Sequence, residues 1–82
     1  MPVLNPSPAQ GYQIGEAARR SGVSAANIRF YEQAGLLRPQ ARSENRYRLY
    51  SEGDVHSLRF IRLCRAMDMS LSEVGILLGL DL

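Results

Sequence analysis

Residues 15–35 read GEAARRSGVSAANIRFYEQAG, two short apolar-patterned segments separated by Ser21-Gly22-Val23-Ser24. Ile14, Ala17 and Ala18 follow i, i+3, i+4 spacing, one face of a helix. Glu16 lies in the first turn, where a carboxylate offsets the positive end of the helix dipole. The spacing predicts a helix beginning near Gly15 and closed by Ser21-Gly22, because glycine enters the left-handed conformation without steric cost. Val23 is apolar and plugs the turn. Ser24 offers its hydroxyl as the N-cap of a second helix that reaches about Ala34 and stops at Gly35. Two short helices joined by a brief turn containing glycine have the spacing of a helix-turn-helix.

Downstream the texture changes. Pro39 rules out a helix after Leu36 and Leu37. Ser43-Glu44-Asn45 reads as a turn, and Tyr47, Arg48 and Leu49 alternate as a half-buried strand does. A small two-stranded wing is expected over about 38–50. Ser51 and Asp54 then cap a third helix with Val55, Leu58, Ile61 and Cys64 facing inward and Met67 near its end. Ser70-Leu71-Ser72-Glu73 fits a capping box and starts a fourth helix, with an apolar stripe of Leu71, Val74, Leu77 and Leu78 and a stop at Gly79. The expected fold is mostly α, a winged helix-turn-helix of four helices and one hairpin over residues 13–80. Upstream, Pro2, Pro6 and Pro8 with Asn5, Ser7 and Gly11 carry no apolar period, so residues 1–12 are expected to be a flexible tail.

Eighty-two residues suffice for one domain of modest stability. A single cysteine forms no internal disulfide, which favours a reducing cytoplasm. No apolar run approaches the roughly 20 residues that span a bilayer, and the first residues lack the pattern of a secretory signal. The net charge of +2 is unevenly spread. All ten cations are arginine and lie between Arg19 and Arg65, where only Glu32, Glu44, Glu52 and Asp54 oppose them, so this stretch carries +6. Arginine suits bidentate bonding to phosphates and guanine edges, although a merely solvated arginine surface has the same composition.

Position narrows the choice. The second helix of a helix-turn-helix leads into the major groove with its N-terminal residues, here Ser24, Ala25, Ala26, Asn27 and Arg29. The small alanines allow close approach. Asn27 suits an adenine edge and Arg29 a phosphate or guanine; the alternative is that both are only solvated, while Ile28 belongs to the core. Arg38, Arg42, Arg46 and Arg48 crowd the wing beside Tyr47 and Tyr50. Phosphate contact explains so many cations better than protection of an exposed strand edge does. Tyr50 is expected to pack at the strand end. Arg59, Arg62 and Arg65 are three apart and wind around the third helix, so they cannot share one groove. Arg65, near the following turn, reaches either DNA backbone or Asp54 or Glu73. His56 and Cys64 fit no zinc-ligand spacing, so Cys64 is assigned to the core. No Ser-His-Asp grouping, phosphate-binding glycine loop or carboxylate pair appears, so no enzyme is expected.

Ile28-Arg29-Phe30-Tyr31-Glu32 closely resembles the I-R-[FY]-Y-E signature of the MerR family of bacterial transcription regulators. Gly35-Leu36-Leu37-Arg38-Pro39 resembles its continuation, and Arg42-Ser43-Glu44-Asn45 followed by Tyr47-Arg48-Leu49-Tyr50 resembles the family's wing. The resemblance runs from about Tyr12 to Leu80. It implies a homodimeric regulator that binds a promoter palindrome in double-stranded DNA, through a recognition helix at about 24–34 and a basic wing at about 38–50. Such a protein bends and untwists the DNA and so acts on RNA polymerase indirectly. By motif position it implies DNA contacts from Arg29 and Tyr31 in the recognition helix, from Arg42, Tyr47 and Arg48 in the wing, and from Arg65. Ala26 stands where many relatives carry a basic residue, and Arg46 where many carry glycine. The stretch Phe60–Leu71 is most similar to the cadmium- and lead-responsive branch. In that branch a soft divalent metal is held by cysteines at and beyond the start of a long dimerisation helix. Cys64 is not at those positions, so no cofactor or metal is expected in this chain, and metal sensing is assigned to a longer parent. The chain alone is expected to be a monomer, without membrane association. Two other functions remain open at this level: an excisionase-like architectural DNA-binding factor, and a protein-interaction module that pairs with a full-length relative.

Overall fold

In the computed structural model, residues 11–37 and 48–80 are described. Four helices follow one another in these residues: α1 (Ile14–Ser21), α2 (Ala25–Gln33), α3 (Glu52–Ala66) and α4 (Leu71–Leu77). α1 packs on both α2 and α3, and α4 packs on α3.

Each boundary has a local cause. α1 starts one residue before the expected Gly15, behind Gln13, whose side chain makes no capping bond. It ends at Gly22, which takes φ +77° and donates its N–H to the Ala18 carbonyl. The turn is sealed by Val23, buried as expected, whose N–H donates to Ser21 Oγ. Ser24 caps α2 by accepting from the Asn27 N–H at 3.1 Å. At α3 and α4 the caps are reciprocal. Ser51 Oγ accepts from the Asp54 N–H while the Asp54 carboxylate accepts from the Ser51 N–H. Ser70 and Glu73 repeat the exchange, and hydrogen bonding from the Ser70 N–H, then from the Ser70 side chain, holds the Glu73 carboxyl below its ordinary range. α3 closes on Asp68, a non-glycine residue at φ +63°. The Asp68 and Met69 N–H groups reach back to the Arg65 and Cys64 carbonyls, a Schellman arrangement.

The core is one cluster. Val55, Leu58, Ile61 and Cys64 bury the inward face of α3, Ala17 and Ile28 come from α1 and α2, and Val74 comes from α4. Burying each branched side chain contributes about 2 kcal/mol by area. Cys64 keeps the core position expected of it. The apolar stripe expected of α4 overreached at Leu77, which is 58% exposed, and Met67, the C-cap of α3, is 63% exposed. Ile76, Leu63 and Phe30 are also exposed.

The assignment of Tyr12 to a flexible tail is corrected. Tyr12 and Tyr50 form an antiparallel bridge with reciprocal N–H···O bonds of 2.7 Å, and both residues are buried. The Tyr12 hydroxyl donates to Glu52 Oε2 at 2.6 Å, and the Arg20 guanidinium lies 4.4 Å from the centre of its ring. Residues 48–50 are therefore tied to the residues just before α1. The remainder of the expected wing, residues 38–47, lies outside the described residues, as does the expected tail up to residue 10.

Candidate nucleic-acid interface

α2 touches the core by a narrow edge. Of its nine residues only Ile28 and Tyr31, one turn apart, are buried. Ala26, Asn27, Arg29, Phe30 and Gln33 are exposed, and Ser24 is exposed just ahead of the helix. A helix that served only to fill a core would bury a broader stripe. Here the N-terminal turns present an alanine, an amide and a guanidinium to solvent, with Ala25 half-buried. The first N–H groups of the helix also lack i−4 partners. The exposed Phe30 was missed as a surface feature; its ring stands 5.6 Å from that of Tyr31 at 55°. The only signal for it in the sequence was an apolar residue two positions after Ile28, off the buried edge.

The expected site residues divide into three groups. Ser24, Ala26, Asn27 and Arg29 share the exposed start and middle of α2. Arg42, Arg46 and Tyr47, with Arg38, lie outside the described residues. Tyr31, Arg48 and Arg65 form the third group, each with its own surroundings. Tyr31 is 7% exposed, so most of its ring belongs to the core. Arg65 is exposed and donates to the Met69 carbonyl at 2.7 Å, spanning the α3–α4 turn and pairing with neither Asp54 nor Glu73.

Arg48 is engaged within the fold. Its side chain is only 11% exposed, and its guanidinium is ion-paired to Glu32 in α2. The same group lies 4.2 Å from the centre of the Tyr50 ring, with the Asp54 carboxylate at 3.8 Å, and it donates to the Leu49 carbonyl. Sequence position placed this cation at DNA; the fold turns it inward because three acceptors and an aromatic face converge there. Glu32, which the sequence offered only as part of a motif, holds the Tyr50 hydroxyl as well, at 2.8 Å. Burial and the Glu32 carboxylate push the Tyr50 phenol up to about 12. The Arg48 guanidinium and, less strongly, that of Arg29 work in the opposite direction on that hydroxyl.

Arg59 has a structural occupation that charge counting did not foresee. Its Nε and Nη2 donate to the Arg20 carbonyl at 3.0 and 2.8 Å, in the last turn of α1. This satisfies a helix-end carbonyl and suits the negative pole of the dipole.

Residues 12–79 match the family model described as MerR HTH family regulatory protein. The chain belongs to the MerR family. Heavy metal-dependent transcription regulator 2 of Rhizobium meliloti is 49% identical over 67 residues, which cover 82% of this chain and 46% of that protein. The lead(II) complex of the MerR-type regulator PbrR691 from Ralstonia metallidurans has 46% identity and a TM-score of 0.74, covering 82% of this chain and 52% of that one. HiNmlR, a MerR family regulator lacking the sensor domain and bound to promoter DNA, has 29% identity and a TM-score of 0.70, covering 83% and 54%. The chain thus spans about half the length of the MerR proteins it matches, and it carries the helix-turn-helix of a MerR-type transcriptional regulator.

Among the described residues no three His, Cys, Asp or Glu side chains are grouped as ligands, and Cys64 is enclosed in the core. No described helix is long and apolar enough to cross a membrane.

Proposed function

We propose that the chain binds promoter DNA sequence-specifically, with α2 as recognition helix and a basic wing over about 38–50. The observation that carries this is the exposed N-terminal half of α2, with Asn27 and Arg29 outward while Ile28 anchors the helix from beneath. Asn27 offers its amide to an adenine edge and Arg29 its fork to a guanine or phosphate. Ser24 and Ala26 let the backbone come close to the duplex. Arg42, Arg46 and Tyr47 supply backbone contacts from the wing, and Arg65 supplies one beside the α3–α4 turn. Tyr31 contributes only through the small part of it that reaches solvent. The activity is binding, with no bond made or broken.

HiNmlR, named as bound to promoter DNA, supports the partner, and the heavy-metal regulators support the setting. In a longer parent the domain would act in the cytoplasm as half of a homodimer. It would influence RNA polymerase through the DNA, and a soft divalent metal would bind outside these residues.

Fluorescence anisotropy with a labelled duplex tests the proposal. Affinity should fall steeply with salt, because each neutralised phosphate releases counterions and adds about −0.9 to the slope of log K against log salt. Arg29→Ala should remove about 1–3 kcal/mol of discrimination between operator and random duplex. Arg59→Ala should leave that discrimination in place, since Arg59 is engaged with the Arg20 carbonyl. Equal losses from both variants would mean that the arginines act as a diffuse charge, and a flat salt response would end the DNA proposal.

A further inference from the structure

Glu32 joins the recognition helix to the chain where it returns from segment 38–47. From the last turn of α2 its Oε2 accepts from Arg48, and its Oε1 accepts from the Tyr50 hydroxyl at 2.8 Å. Arg48 is held from further sides, by the Tyr50 ring at 4.2 Å, by Asp54 at 3.8 Å and by the Leu49 carbonyl. An arginine that grips phosphate needs its fork open to solvent. Swinging this side chain outward would separate a close, poorly solvated charge pair, and that is costly.

We propose that Glu32 and Arg48 are positioning residues, whose ion pair fixes residues 48–50 against the end of the recognition helix so that α2 meets DNA already held in its docking orientation. This rests on the DNA-binding function proposed above. The physical gain is preorganisation: a segment already held at the correct angle loses less freedom when it docks. Leu36 and Leu37, which follow α2, are buried as well, so the end of α2 is held on both sides. Asp54 extends the linkage to the first turn of α3.

Electrostatics and positioning predict opposite signs for one substitution. Glu32→Gln removes a negative charge beside a DNA-binding face, so Coulomb's law alone gives tighter binding. A positioning role gives weaker binding, because the neutral amide no longer holds the guanidinium. The probe is a fluorescein-labelled duplex enriched from a random pool by the unaltered chain, titrated by anisotropy at several salt concentrations. Glu32→Gln and Arg48→Gln are each expected to weaken binding about tenfold, the scale of coupling between contacting residues, and the double variant to lose no more than either single one. The salt slope should stay unchanged, since no phosphate contact is removed. Arg48→Lys keeps the charge but not the fork and should bind as weakly as Arg48→Gln. Melting curves identify any variant that has lost the fold; the comparison then rests on Arg48→Lys, the mildest change. Arg48→Gln reducing the slope by about 0.9 while Glu32→Gln binds as well as or better than the unaltered chain would overturn the positioning role and make Arg48 a phosphate ligand. Failure of the unaltered chain to show salt-dependent binding would instead overturn the DNA function itself, and the positioning role with it.

Discussion

Tyr50 shows how much a single side chain is asked to do. Its backbone pairs with Tyr12, its ring lies under the Arg48 guanidinium, and its hydroxyl donates to Glu32. All three roles require a neutral phenol or are indifferent to its charge, and the folded-state value of about 12 stands above the ordinary value of 10.0. The folded state therefore binds the phenolic proton more tightly than the unfolded chain does. The associated stability is complete below about pH 10 and is lost as pH rises through about 12. Tyr50→Phe should melt at lower temperature than the unaltered chain at pH 8, because Glu32 loses a donor. The gap should narrow between pH 10 and 12, measured by circular dichroism melts. Parallel curves over that range would mean that the hydroxyl is not held as described.

At the scale of elements, the helix ends were legible in the sequence and the contacts between elements were not. Ser24, Ser51 with Asp54, and Ser70 with Glu73 cap the helices they were expected to cap, because a cap joins residues three apart and depends on nothing remote. Gly22 ends α1 for the same reason. The buried positions Ile28, Val55, Leu58, Ile61, Cys64 and Val74 followed from helical period. Tyr12 pairing with Tyr50, Arg59 reaching Arg20 and Arg48 turning toward Glu32 all join residues 16 or more positions apart. No local pattern encodes them, and a cation in a basic stretch looks the same whether it faces phosphate or carboxylate. Asp68 is a different case, a residue held at φ +63° with only its turn to justify it. Asp tolerates this region better than most residues, yet glycine tolerates it freely. Asp68→Gly should therefore stabilise the domain by about 0.5–1 kcal/mol, less whatever the freer unfolded chain takes back, and raise its melting temperature by a few degrees. A lower melting temperature would show that the aspartate side chain contributes to the turn.

For the molecule as a whole, the arginines divide between those that face solvent and those held by the fold. Arg29 faces outward from a helix anchored by Ile28 and Tyr31, while Arg48 and Arg59 are engaged within the fold. The core around α3 also encloses the chain's single thiol, and the sequence contains no tryptophan. A group that is 3% exposed reacts with an alkylating reagent only when the structure opens around it. Labelling of Cys64 by iodoacetamide, followed by mass spectrometry, should thus proceed far more slowly in the native protein than in urea, and every 1.4 kcal/mol of opening free energy should slow it about tenfold. The chain consequently carries its own clock for internal fluctuations. An operator duplex that clamps α2 should lengthen its period without any probe being attached.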